Sequence, residues 1–172
     1  MPTDAEITFA DHVGRFYARR YSFPPMVGRL LGYLSVCDPP DQTIAELSDA
    51  LLASRSAISG AIKSLEAMHS VRRSRAAGER MDRVRIDVSS QESLGLDSAE
   101  YQELVELTSE GLHLLDGAPV ERRVILEEMN AYAEFLVERM PVLHEEWKAR
   151  REQLVAAGRL PELPSASRAG RA

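Results

Sequence analysis

Between Ser54 and Arg85 the sequence carries eight cationic side chains: Arg55, Lys63, Arg72, Arg73, Arg75, Arg80, Arg83 and Arg85. Only three anionic ones, Glu66, Glu79 and Asp82, accompany them. The segment nets +5 in a 172-residue chain whose overall charge is -6, so the remainder nets -11. Seven of the eight cations are arginines. A guanidinium is a planar fork of donors that grips two oxygens at once, which suits phosphates and base edges. Averaged over the whole chain, the charge disfavours a nucleic-acid partner, because a phosphate backbone attracts positive surface. Taken segment by segment, one stretch has the opposite sign.

The elements that must position these side chains follow from periodicity and punctuation. Thr3 to Arg20 reads as a helix, with Thr3 and Glu6 at capping-box spacing and Ile7, Ala10, Val13 and Tyr17 at helical steps. Pro24 and Pro25 end it. A second helix runs from about Met26 to Val36 and stops before the turn Cys37-Asp38-Pro39-Pro40. A third opens at Thr43, with Glu46 as its capping-box partner, and a fourth at Ser54. Only Leu52 and Ala53 separate these two, which suits a helix-turn-helix crossing. Val71–Arg75 and Val84–Val88 read as strands joined by a polar, glycine-containing tip, giving a β-hairpin. Helix-turn-helix followed by a hairpin is the winged helix-turn-helix order. In that arrangement the fourth helix offers Arg55, Ser56, Ser59 and Gly60 near its N-terminus, with Lys63 one turn further on. Small and polar residues there allow close approach to a groove.

Beyond a polar loop over Ser89–Gly95, Asp97 and Glu100 repeat the capping-box spacing. Tyr101, Leu104, Val105, Thr108, Leu112 and Leu115 follow at helical steps, and Gly117 can end that helix. Pro119 fits the first turn of the next, whose apolar face is Val120, Val124, Met129, Tyr132, Leu136 and Met140. Pro141 predicts a kink or a restart before a charged helix reaching about Ala157. The tail from Pro161 is rich in Pro, Ser, Ala, Gly and Arg and is expected to be disordered.

Three runs now give the chain a likeness: Thr43-Ile-Ala-Glu-Leu-Ser-Asp-Ala-Leu51, Ser54-Arg-Ser-Ala-Ile-Ser59 and Ile62-Lys-Ser-Leu-Glu66, followed by the hairpin from Val71 to Arg85. With the order of helix, winged unit and long late helices, the chain resembles the MarR family of bacterial transcriptional regulators. Gly14-Arg15-Phe16, Met140-Pro141 and Trp147 resemble its GbsR-type subgroup. The resemblance implies a homodimer whose N- and C-terminal helices interlock, each protomer presenting one winged unit to half of a pseudo-palindromic operator in double-stranded DNA. It implies a recognition helix over Ser54–Met68 and a wing over Arg75–Arg83, with Asp82 orienting Arg80 or Arg83. The candidate DNA-contacting set is Thr43, Ser54, Arg55, Ser56, Ser59, Gly60, Lys63, Arg73, Arg75, Arg80, Asp82 and Arg83. Leu52 stands where the family often has the Gly or Asn of the turn, His69 where a Gly often ends the recognition helix, and Ser70 replaces a common apolar residue.

Other chemistry is thinner. Cys37 ends an apolar helix beside Asp38, a setting for an inert thiol rather than a redox sensor. With one cysteine and no paired histidines among His12, His69, His113 and His144, no internal disulfide or local metal site is expected. The late glutamates interleave with arginines and lysines at helical spacing, as on a solvated ion-paired face, and no nucleophile–base pair or phosphate loop accompanies them. An enzyme and a resident cofactor are therefore not expected. Tyr17, Tyr21, Phe23, Tyr132 and Trp147 are candidates for an effector pocket, or else pack in a dimer core. Neither a signal segment nor an apolar run of membrane-spanning length occurs, so the expected location is cytoplasmic. The expected fold is mainly α with a small β-hairpin, a winged helix-turn-helix with N- and C-terminal dimerisation helices. The expected divisions are residues 1–25 for the N-terminal dimerisation helix, 26–90 for the winged unit, 91–158 for the C-terminal dimerisation helices and 159–172 for the tail. The expected function is a homodimeric transcriptional repressor answering a small-molecule effector. The alternative is a winged helix that docks protein without touching DNA.

Overall fold

A computed structural model of the chain describes residues 1–75, 81–88 and 98–162. They form α1 (Asp4–Tyr21), α2 (Pro25–Leu34), β1 (Gln42–Thr43), α3 (Ile44–Ala50), α4 (Arg55–Ala67), β2 (Val71–Ser74), β3 (Arg83–Ile86), α5 (Ala99–Leu114) and α6 (Val120–Ala156). The chain divides into two compact units, one over Met1–Ser93 and one over Leu94–Ser165. The expected loop over Ser89–Gly95, the wing tip at 76–80, Asp97 and most of the expected tail lie outside the described residues.

In the first unit local signals set the helix starts. The Thr3 backbone N–H donates to Glu6 Oε2 (2.6 Å) and the Glu6 N–H to Thr3 Oγ1 (3.3 Å). Thr43 and Glu46 repeat the exchange at α3, at 2.7 and 3.2 Å. Four of the eight orphan N–H groups at these two helix starts are not left to water. Ser54 caps α4 by accepting the Ala57 N–H at 3.2 Å. The core joins α2, α3, α4 and the sheet through Leu30, Leu47, Leu51, Ile58, Ile62, Leu65 and Val84, all fully buried. α1 lies on α2 in the same unit.

The sheet has three antiparallel strands in the order β1-β3-β2, one more than the expected hairpin. Val71 pairs with Ile86 and Ser74 with Arg83, while Gln42 pairs with Val84 on the other side. β1 is two residues long and becomes a strand only because β3 lies beside it.

Both helices of the helix-turn-helix end in a left-handed residue that is not glycine. Leu52 has φ 50° and His69 φ 53°. The Ala53 N–H reaches back to Ser48 O (3.1 Å), and the Ser70 N–H to Leu65 O (2.9 Å), the six-to-one bonds of a Schellman motif. Ser48 Oγ donates to Ala53 O (2.6 Å), and Arg29 Nη1 donates to Leu51 O (3.0 Å) while its Nε binds Asp11. The turn therefore holds its geometry without the glycine that the position favours. Leu52 is 93% exposed, so its side chain contributes little packing. Leu52→Gly is expected to stabilise the first unit by about 0.5–1 kcal/mol, relief of left-handed strain outweighing the added chain entropy. Urea unfolding of the two proteins measures it, and an unchanged or lower midpoint would refute it.

α5 starts at Ala99 with Ser98 as N-cap, and the Asp97 half of the expected capping box lies outside the described residues. The second unit departs from expectation in two places. Pro119 is the N-cap of α6 and not its first helical residue. α6 runs on through Pro141 for 37 residues, so the proline removes one backbone bond without restarting the helix. α5 packs on α6, where Thr108 Oγ1 donates to Asn130 Oδ1 (2.7 Å) and Gly111 faces Leu126. The predicted α5 stripe is on the packed side. The predicted α6 stripe is split: Leu136 and Met140 are half-buried, but Val120, Val124, Met129 and Tyr132 are exposed, because Ala133, Asn130 and Leu126 take the contact with α5.

Candidate nucleic-acid interface

α4 divides cleanly by face. Ile58, Ala61, Ile62 and Leu65 enter the core, and Arg55, Ser56, Gly60 and Lys63 are exposed, with Ser59 half-buried at their edge. Ser56, Gly60 and Lys63 fall at steps of four and three, so they share one face. A Cβ built on Gly60 meets nothing within 4 Å. The face is thus open, narrow and cationic, and it adjoins the positive end of the α4 dipole. Ser54 is committed to the helix cap, with its hydroxyl 3.0 Å from Ser56 Oγ.

The arginines separate into committed and uncommitted groups. Arg73 grips Glu66 of α4 with two bonds, at 2.8 and 3.2 Å, and so ties β2 to the recognition-helix candidate. Arg83 Nη1 donates to Asp41 O (3.1 Å) and to Glu46 Oε2 (3.3 Å), fastening β3 to the start of α3. Arg85 is 3.9 Å from Asp41. Arg55, Lys63 and Arg72 form no ion pair among the described residues. Arg72 was not among the candidates; its register opposite Arg85 in the sheet, and its lack of a carboxylate partner, mark it as a further available cation.

The wing's acid–base pair is Arg75 with Asp82. Arg75 Nε donates to Asp82 Oδ1 at 2.7 Å, and the Arg75 side chain stays more than half exposed. That bond holds the Asp82 carboxyl below, and the Arg75 guanidinium above, their ordinary ranges. The expectation had paired Asp82 with Arg80 or Arg83. Arg83 is turned toward α3 and Arg80 lies outside the described residues. Thr43 is also corrected: it is buried, and its hydroxyl caps α3 instead of facing outward.

Of the effector candidates, Tyr17, Tyr21 and Phe23 come together with Phe16 at the end of α1. Tyr17 and Phe23 stack at 6.2 Å between centroids, and Tyr21 and Phe23 at 5.6 Å. Tyr132 and Trp147 are exposed on α6 in the second unit, fifteen positions apart. Cys37 is buried and its thiol is pushed up to about 11, chiefly by burial, so it is not poised as a thiolate. Among the described residues no group of three potential ligands converges on a metal-sized site, and no helix is long and apolar enough to cross a membrane.

The chain is similar to the HTH-type transcriptional regulator MmpR5 of Mycobacterium tuberculosis. It is 34% identical over 136 residues, which span 75% of this chain and 80% of that protein. A family model described as MmpR5-like MarR family transcriptional regulator matches residues 91–151. The chain belongs to the MarR family of transcriptional regulators. A solved structure described as the crystal structure of a transcriptional regulator superposes with TM-score 0.75 at 28% identity, covering 84% of this chain and 99% of that one. All three relatives are described as transcriptional regulators.

The electrostatics of this MarR unit predict an acid weakness. The Thr43 backbone N–H, then the Thr43 hydroxyl and Arg83, hold the Glu46 carboxyl below its ordinary value, against a partial rise from burial. A carboxyl depressed in the folded state stabilises above its unfolded pKa, and that stability is lost as pH falls through the folded value. Urea midpoints are expected to fall from about pH 5 to pH 3. Glu46→Gln keeps a capping-box residue but loses the charge, so its midpoint should fall less over the same window. An equal fall in both proteins would place the acid sensitivity elsewhere.

Proposed function

We propose that this MarR-family chain is a homodimeric, cytoplasmic repressor that reads a pseudo-palindromic operator through α4 and the wing and is released by a small-molecule effector. The observation that carries the reading is the exposed α4 face, where Arg55 and Lys63 are uncommitted while Arg73 and Arg83 fasten the sheet behind them. Ser56, Ser59 and Gly60 give that face a low profile, and Arg75, oriented by Asp82, extends it along the wing. A homodimer is supported by the exposed apolar side chains of α6, among them Ile125 at 70%, and by Phe9, Phe16 and Tyr21 on α1. The aromatic group of Tyr17, Tyr21 and Phe23 supports an effector near the end of α1. The GbsR-type assignment is supported by Gly14-Arg15-Phe16, Met140-Pro141 and Trp147 alone.

Selection of genomic fragments by the full chain tests the reading. The enriched fragments should share an inverted repeat with half-sites about one helical turn apart, or a multiple of it. Affinity for them should fall with salt at a log–log slope of about -0.9 per phosphate contact. No enrichment, or binding without a salt slope, would favour a protein-docking winged helix instead. Light scattering should give twice the mass of one chain.

A further inference from the structure

The Leu51 carbonyl lies just past the end of α3, where a helix leaves its last carbonyls without helical donors. It is part-buried, and a backbone oxygen withdrawn from water needs a donor. The donor comes from 22 positions earlier, Arg29 Nη1 of α2, at 3.0 Å. The same guanidinium places Nε on Asp11 Oδ1 of α1. One side chain thus joins α1, α2 and the α3–α4 turn. Two further observations set it apart from a surface ion pair. The first is how near α1 comes. A Cβ on Gly14 would stand 3.1 Å from Pro25 O and 3.3 Å from Arg29 N. Asp11 and Gly14 are three residues apart on one face of α1, so that face lies on the root of Arg29. The second is how the turn is held. The Leu51 side chain enters the core, but Leu52 is left-handed and points into solvent. The polar bonds of the turn are the Ala53 N–H to Ser48 O, Ser48 Oγ to Ala53 O, and Arg29 to Leu51 O. Of these bonds, only the last comes from another helix.

We propose that Arg29 is a positioning residue for DNA reading: it holds the α3–α4 turn, and with it the start of α4, in register with α1, and Asp11 fixes it in that role. This rests on the proposed reading of DNA through α4. Arg55 and Ser56 stand four and five positions after Leu51, with Ser54 capping α4 between, so a shift of the turn moves both. A displacement of α1, which carries Tyr17 and Tyr21, is felt at the start of α4 through this bridge as well as through the packing of α1 on α2. The double contact needs an arginine. Nε and Nη1 are separate donors in a rigid fork, whereas a lysine ammonium is a single point of charge on a flexible stem.

Gel-shift titration of the full chain tests it, with the enriched inverted-repeat duplex and a random-sequence duplex of equal length as probes. The variants are Asp11→Asn, Arg29→Lys and the two combined. Asp11→Asn removes a negative charge, which by simple electrostatics should tighten binding to any DNA. Positioning predicts the opposite for the inverted repeat: a loss of about fivefold or more, with the random duplex held within about twofold. Glu145→Gln, on α6, makes the same charge change and should weaken neither. Arg29→Lys should weaken the inverted repeat at least as much as Asp11→Asn, with an unaltered salt slope, because no phosphate contact is lost. The combined variant should be no weaker than Arg29→Lys alone, since both changes cut one bridge. Hydrogen exchange of the Ala53 amide should quicken in both single variants. A merely structural role would lower the urea midpoint without changing the ratio of the two DNA affinities. An unchanged ratio, a tighter Asp11→Asn protein, additive losses or unchanged Ala53 exchange would overturn the proposal. If the unsubstituted protein binds no DNA, the proposed function fails by itself; quicker Ala53 exchange then still keeps the Arg29 bridge, and unchanged exchange removes it.

Discussion

Gly60→Glu is expected to weaken operator binding at least about a hundredfold, equivalent to roughly 3 kcal/mol, while the protein stays folded. Gly60 lies in the middle of α4 on its exposed face, and a Cβ there meets no atom within 4 Å. The folded protein by itself gives no reason for glycine at this position. A helix interior disfavours it, and alanine should stabilise by about 1 kcal/mol. Gly60→Ala therefore serves as the companion variant: higher urea midpoint, intact or moderately reduced DNA binding. Glutamate adds length and a negative charge between Ser56 and Lys63, where the proposed reading brings phosphates and base edges. Gel-shift titration and urea unfolding of both variants separate the two effects. Full operator affinity in a folded Gly60→Glu protein would remove α4 from the DNA interface.

What could be read from the chain beforehand was whatever is local. The capping boxes at Thr3 and Thr43 are three-residue devices, and both are formed. The same spacing at Asp97 and Glu100 falls partly outside the described residues, next to a helix that begins at Ala99. β1 was invisible, since two residues with no periodicity become a strand only through a neighbour contributed by residues forty positions away. The α6 pattern announced a helix but not which apolar residues would meet α5. The site divides the same way. Positive charge was legible as composition. Its allocation was not, because Glu46 and Arg83 are 37 positions apart, and the Arg73–Glu66 and Arg75–Asp82 pairs each join residues from different segments across a turn. Among the described residues those pairings tie Arg83 to the start of α3 and Arg75 to Asp82.

The α1–α2 contact was likewise hidden, and it carries the second large effect. Gly32→Ala is expected to destabilise the first unit by about 2 kcal/mol or more. By propensity alone the change should help, since alanine is the better helix former by about 1 kcal/mol. The surroundings reverse the sign. A Cβ on Gly32 would stand 2.8 Å from Val13 Cβ and 3.0 Å from Ala10 Cα, and one on Gly28 would stand 3.0 Å from Gly14 Cα and 3.1 Å from Val13 O. Ala10 and Gly14 on α1, and Gly28 and Gly32 on α2, are each four residues apart, so the two helices meet along rows of small residues. Backbone atoms cannot rotate aside, so the helices must separate. α2 also packs on α4 and β3, and a displaced α2 loosens the core residues Leu30 and Leu34 with it. Val13→Ala in the Gly32→Ala background removes the Cγ2 contact but not the Ala10 one, so it should recover only part of the loss. Measured side by side in urea, Gly60→Ala should move the midpoint up and Gly32→Ala down. The same methyl group has opposite effects because one glycine faces open space and the other faces a backbone. Equal shifts in the two variants would mean that α1 does not approach α2 this closely.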